Sequence, residues 1–198
     1  QGFKKYLESF GLQSKINVVG PLLWYLPSKK LIPKIGNFKI VLFDVIPTSI
    51  KFSGNGRFRD YYTTKLMKKF VGDVLQTCQI LEKKFNVKIF IDIKHKRILN
   101  KFHDMSYINF LDDLIFKNKR FNIMNYNVNL YDVLKITDLS ISIPYTSTAY
   151  ISSQLKKNAL YYDPSGELIP TFEKSKFISF SSNKLDLERK ICRTLNFK

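Results

Sequence analysis

Cysteine, histidine, alanine and arginine are all scarce in this chain of 198 residues. Cys78 and Cys192 are too few for a disulfide framework and lack the spacing of a metal site. The two histidines, His95 and His103, argue against a histidine-rich catalytic centre. Ser/His/Asp and Cys/His arrangements are missing as well, and no metal or cofactor is expected. No apolar run approaches the roughly 18–20 residues that a membrane span needs. Neither GxGxxG nor GxxxxGK[ST] occurs, so a dinucleotide fingerprint and a P-loop are both unsupported. The chain opens with Gln1, with neither an initiator methionine nor a signal peptide, so the expectation is a part of a longer polypeptide.

What is abundant is positive charge. Lys and Arg number 33 against 16 Asp and Glu, a net charge of +17. Of the basic residues 27 are Lys and 6 are Arg. Lys, Asn, Ile, Phe and Tyr are frequent where Ala, Gly, Pro and Arg are rare, a split between AT-rich and GC-rich codons that points to a genomic bias. Nucleic-acid readers lean on Arg for paired contacts, so a diffuse Lys excess disfavours nucleic acid as a partner. An anionic substrate or an anionic membrane surface gains from the same charge. Hydrophobic residues at 44% and charged residues at 25% are an ordinary globular balance, and the length suits one sizeable domain.

Apolar runs and helical periodicities alternate along the chain. Phe38–Ile46 is an almost continuous apolar strand ended by Pro47, the pattern of a strand buried on both faces. A Ser/Gly/Asn-rich loop to about residue 60 follows, longer than most strand-to-helix connections. A helix is predicted over about Tyr62–Phe85, a strand over Val87–Ile93, and a helix capped by Ser106 running through Ile115. Strands at Phe121–Met124, Leu139–Ile143, Ala159–Tyr162 and Phe177–Phe180 alternate with helices over Leu130–Ile136, Ser147–Lys157 and Lys184–Leu195. This repetition implies an α/β fold: a doubly wound, Rossmann-like parallel sheet with helices on both faces. Residues 1–37 fit it less well, with a helix near Phe3–Phe10, a strand Lys15–Val19 and a Pro-punctuated segment from Gly20 to Gly36. They are expected to be an amino-terminal arm, or the remnant of a preceding domain, ahead of a domain over 38–198.

Ligands of such sheets bind beyond the carboxyl ends of the strands, so the residues that follow each strand are the candidates. The loop after the first strand offers Ser49, Ser53, Gly54, Asn55, Gly56, Arg57 and Arg59. Lys94, His95, Lys96 and Arg97 follow the second predicted strand, where Lys and Arg could neutralise a phosphate. A solvated basic turn is the plainer alternative, and His95 by itself reads as a surface histidine. The sharpest signal is Ile143-Pro-Tyr-Thr-Ser-Thr-Ala149. There a buried strand stops at Pro144, and three hydroxyl residues, Thr146, Ser147 and Thr148, open a helix. Thr146 or Ser147 can cap it, while the amides and dipole of its first turn favour a phosphate or carboxylate. Asp163 and Ser165, in Tyr161-Tyr-Asp-Pro-Ser-Gly166, could hold a sugar hydroxyl or simply form an Asx turn. Asp44 and Asp92 fall inside strand patterns and need partners if buried.

The run Asp138–Tyr150, followed by Leu155-Lys-Lys-Asn-Ala-Leu-Tyr-Tyr-Asp-Pro164, resembles the carboxyl-terminal half of GT-B-fold glycosyltransferases of bacterial surface-polysaccharide synthesis, relatives of Kdo transferases included. The likeness extends over about residues 86–165 and is topological elsewhere. The resemblance implies a nucleotide-sugar donor bound by residues 38–198. The Thr146, Ser147 and Thr148 helix start would hold its phosphate and Lys94, Lys96 and Arg97 would add anion contacts, with Pro144, Tyr145 and Asp163 also among the substrate-binding candidates. It also implies a partner domain, amino-terminal and carrying the acceptor groups, that this chain lacks or retains only as residues 1–37. A cytoplasmic location, peripheral to the inner membrane, goes with it. Two other readings stay open. One is a sugar-nucleotide epimerase or hydrolase, which would need its own acid and base and for which no clear carboxylate or histidine pair stands out. The other is a non-enzymatic α/β module that binds polyanions.

Overall fold

A computed structural model describes residues 37–49, 61–95, 98–99, 101–170 and 175–197. The elements expected before residue 37, the loop residues 50–60, and Lys96 and Arg97 lie outside the described residues.

Six strands form one sheet: β1 (Phe38–Phe43), β2 (Ile89–Ile93), β3 (Phe121–Ile123), β4 (Leu139–Ser142), β5 (Ala159–Tyr162) and β6 (Ile178–Ser181). Their order is β3-β2-β1-β4-β5-β6, and every neighbouring pair is parallel. The helices are α1 (Thr64–Phe85), α2 (Met105–Lys117), α3 (Leu130–Lys135), α4 (Ser147–Gln154) and α5 (Lys184–Leu195). The doubly wound α/β fold expected from the alternation is the one observed.

Alternation along β1 divides the core. Ile40 and Leu42 pack on one face with Met67, Phe70 and Val74 of α1, Leu111 of α2 and Ile191 of α5. Val41 and Phe43 point to the other face, against Val133 and Leu134 of α3 and Ile151 of α4. A central strand sandwiched by helices must be apolar on both sides, which is why β1 reads as a continuous hydrophobic run. β4 differs. Leu139, Ile141 and Ile143 join the larger core, whereas Ser140 and Ser142 meet hydroxyls of α4, at 2.9 Å from Ser140 Oγ to Ser152 Oγ and 2.9 Å from Ser142 Oγ to Thr148 Oγ1.

Several predicted ends shift. β1 stops at Phe43 rather than Ile46, and α4 ends at Gln154 rather than Lys157. The cap of α2 is Asp104, not Ser106: its carboxylate accepts from the Ser106 amide at 2.8 Å and from the Thr64 hydroxyl. A carboxylate is the stronger acceptor at a helix start. The Thr64 bond above all holds the Asp104 carboxyl below its ordinary range. α5 and β5 fall where the sequence places them.

Leu42 is wholly buried in β1, whereas Leu185 of α5 is 82% exposed. Leu42→Ala is therefore expected to cost about 3 kcal/mol through the cavity it leaves. Leu185→Ala should stay within about 0.5 kcal/mol. Urea-unfolding midpoints of the two variants measure the contrast.

Candidate functional site

The sheet grows from β1 to β2 to β3 on one side, then returns to add β4, β5 and β6 on the other. The carboxyl ends of β1 and β4 therefore carry loops that leave in opposite directions, the switch point at which sheets of this kind form their ligand crevice. Residues 44–49, 94–95, 124–128, 143–148 and 163–168 gather along this edge.

Asp44, directly after β1, lies at this switch point. Its Oδ2 accepts from the Tyr107 hydroxyl at 2.6 Å, and its Oδ1 faces His95 Nδ1 at 3.4 Å. The Asp44 side chain is fully buried and that of His95 is 3% exposed. Neither Asp44 Oδ1 nor His95 Nδ1 has a hydrogen-bond partner among the described residues. Burial first, then the neighbouring carboxylate, raises the Tyr107 hydroxyl pKa far above its usual value. His103 also approaches: burial and the nearby His95 lower its pKa, against an opposing pull from Asp44, and its Nδ1 accepts from the Leu99 amide at 2.9 Å. His95 is thus not the surface histidine expected. Parallel pairing of β1 with β2 brings together Asp44 and His95, which are 51 residues apart. The sequence signal was two polar residues immediately beyond two adjacent apolar strands.

Lys94 is also largely buried. Its amide continues the ladder to Leu42 O at 2.9 Å, and its Nζ donates to Tyr126 O at 3.0 Å. Burial lowers its pKa. The Lys94 ammonium thus sits between the β2 and β3 loops, between two and three strand spacings, or roughly 10–15 Å, from β4.

The turn after β4 is braced from several sides. Pro144 is buried, and Tyr145 takes φ +63°, the left-handed region that a non-glycine residue seldom adopts. The Tyr145 hydroxyl donates to Ile169 O, and the Tyr161 hydroxyl donates to Thr146 O at 2.6 Å. Thr146 occupies the N-cap position of α4 without capping it: its hydroxyl turns back to Ile143 O at 2.9 Å. The amides of the first helical turn have no intrahelical acceptors, and here the cap side chain supplies none. Thr148 Oγ1 lies 2.9 Å from Ser142 Oγ and 3.1 Å from Thr146 Oγ1. Ser147 is exposed.

Asp163, at the end of β5, is fully buried. Its Oδ1 accepts from the Tyr61 hydroxyl at 2.7 Å, the Ser165 amide at 2.9 Å and the Ser165 hydroxyl at 2.6 Å. Its Oδ2 accepts from the Leu168 amide at 2.9 Å. Burial pushes its pKa up, but these donors outweigh it and hold the carboxyl below the ordinary carboxylate value. The geometry is the Asx turn of the sequence reading, with Tyr61 tying the approach to α1 onto the same carboxylate. Among the described residues no cluster of three or more His, Cys, Asp or Glu could hold a metal ion.

A family model described as polysaccharide biosynthesis PFTS motif protein matches residues 1–191. No curated protein sequence matches the chain. Among solved structures, a variant of the wall teichoic acid polymerase TagF, soaked with CDPG for 15 minutes, is similar at 12% identity and a TM-score of 0.49. The likeness covers 83% of this chain and 34% of that one, so the chain spans about a third of the polymerase's length.

Two outcomes are expected from these contacts. Asp44→Ala strands the buried Tyr107 hydroxyl and should cost about 1–3 kcal/mol in unfolding free energy, with Tyr107→Phe, which leaves the carboxylate without its donor, near 2 kcal/mol. For Asp163 the folded-state pKa is depressed, so its stabilisation is complete above the unfolded carboxyl pKa and is lost as pH falls through the folded one. Urea midpoints at neutral and strongly acidic pH should therefore fall further for the wild type than for Asp163→Asn.

Proposed function

The chain belongs to the polysaccharide biosynthesis PFTS motif family, and we propose that residues 38–198 bind the nucleotide-sugar donor of a glycosyltransferase in this pathway class. The reading rests on the start of α4. A helix N-terminus beside the β1–β4 switch point, with its cap side chain turned away, presents unsatisfied amides and a positive dipole end to an anion. A donor diphosphate laid there would reach toward Lys94, and toward Lys96 and Arg97 in the adjoining sequence. Ser147 is the exposed hydroxyl of the motif and is assigned to the phosphate. Pro144, Tyr145, Thr146 and Thr148 shape the turn, and Asp163 acts by holding the neighbouring loop.

As the bond between sugar and phosphate breaks, negative charge grows on the leaving nucleotide. Fixed amide dipoles and ammonium groups stabilise that charge without reorganising. The acceptor would be activated from a partner domain amino-terminal to this one. The reading places the chain in the cytoplasm beside the inner membrane. No described helix is long and apolar enough to cross a membrane.

The Asp44–His95 pair favours a second reading, an enzyme that carries its own acid–base group in the crevice. It predicts turnover of a nucleotide sugar by this chain alone, lost in His95→Gln.

Thermal denaturation with CMP, UDP, GDP and ADP and their sugars, against short oligonucleotides, tests the assignment. A ligand that binds only the folded state stabilises it by about 2.7 kcal/mol at a hundred times its Kd, a shift of several degrees. One nucleotide class should produce that shift. Ser147→Leu should abolish it while leaving the unliganded midpoint nearly unchanged. A shift that survives in Ser147→Leu moves the site elsewhere, and shifts with oligonucleotides alone would replace this reading with polyanion binding.

A further inference from the structure

The amino edge of the sheet, opposite the crevice, carries two adjoining grooves of about 380 and 600 Å³. They share Gln79, Glu82 and Arg120, so they form one surface between the end of α1 and the turn from α2 to β3. The floor of the smaller groove is apolar, built from Leu75, Ile89, Ile91 and Phe121. Its rim is basic. Lys83, Lys88, Lys117, Lys119 and Arg120 line the two grooves against the single carboxylate of Glu82.

The polar groups divide into two sets. Glu82 is spent internally, accepting from the Ile89 amide at 2.7 Å and pairing with Arg120 at 3.0 Å. Gln79 and Asn118 bond to each other at 2.9 Å. The four lysines form no ion pair among the described residues and are exposed. Beside them, on the last turn of α2, Phe116 is 90% exposed, the most exposed large apolar side chain described.

We propose that this surface docks the protein on an anionic phospholipid bilayer, with Phe116 entering the headgroup region and Lys117, Lys119, Lys83 and Lys88 meeting lipid phosphates. The division of charge selects this occupant. The one arginine suited to paired contacts is already held by Glu82, and what remains is a set of point-charge ammonium groups on flexible stems. Such groups gain from a diffuse negative surface, and an adjacent aromatic adds apolar insertion. Lysines at the short edge strand β3 would also deter edge pairing, but that task gives no reason for a bare phenylalanine next to them.

Co-sedimentation of the full chain with phosphatidylglycerol–phosphatidylcholine vesicles, against pure phosphatidylcholine, tests the proposal. Binding should require the anionic lipid and weaken with salt. Lys119→Glu should lower partitioning roughly fivefold or more, as expected for groups at a charged surface. Phe116→Ser should lower it several-fold with the melting temperature unchanged. Lys176→Glu, the same charge change at the far edge of the sheet, should leave most of the binding. No binding to anionic vesicles, or equal losses for Lys119→Glu and Lys176→Glu, would overturn the proposal. So would an oligonucleotide that binds through Lys119 while vesicles do not. Nucleotide-induced thermal shifts are read in the same variants and should be unaffected, which separates this surface from the crevice.

Discussion

β1 is hydrogen-bonded on both sides, to β2 and to β4, and the remaining architecture follows from that position. A strand with two parallel neighbours and helices on both faces has no solvent-facing side, so its buried stretch, Ile40–Phe43, is apolar throughout. After Lys39 near its start, which pairs with Asp92 at 2.8 Å, the next residue able to carry charge is the one where the ladder ends, Asp44. There the carboxylate is too deep for water and must find protein partners, and Tyr107 and His95 are the groups that parallel neighbours bring within reach. The same pairing begins with a matching clamp at the other end, where the Lys39 amide donates to Asp138 Oδ2 at 2.7 Å and the Asp138 amide to Lys39 O at 2.9 Å.

The fold was legible because each element announced itself locally. The apolar run of β1, the long periodic stripe of α1 and the Ala159–Tyr162 strand need no knowledge of their neighbours. Element ends were less legible where a side chain from elsewhere decides them. Asp104 captures the start of α2 partly through Thr64, 40 residues away in sequence. The Asp44–His95 contact is the extreme case, since strand order, not spacing, creates it.

The hydroxyl-rich motif was visible, but its division of labour was not. Ser142, Thr146 and Thr148 engage one another or the backbone and let α4 approach β4 closely. Ser147 is left facing solvent. Asp163 divides in the same way between what a sequence offers, a carboxylate after a strand, and what the fold makes of it, a hub for one tyrosine and two turns. In both places most of the polar groups build the rim, and few are left to face a ligand.

Tyr145 illustrates how such a rim constrains change over time. Its left-handed backbone would be relaxed by glycine or asparagine. Either replacement would forfeit the tether to Ile169 and the ring contact with Tyr161, whose centroids lie 6.4 Å apart. Selection for thermal stability alone and selection for a fixed turn geometry therefore pull this position toward different residues.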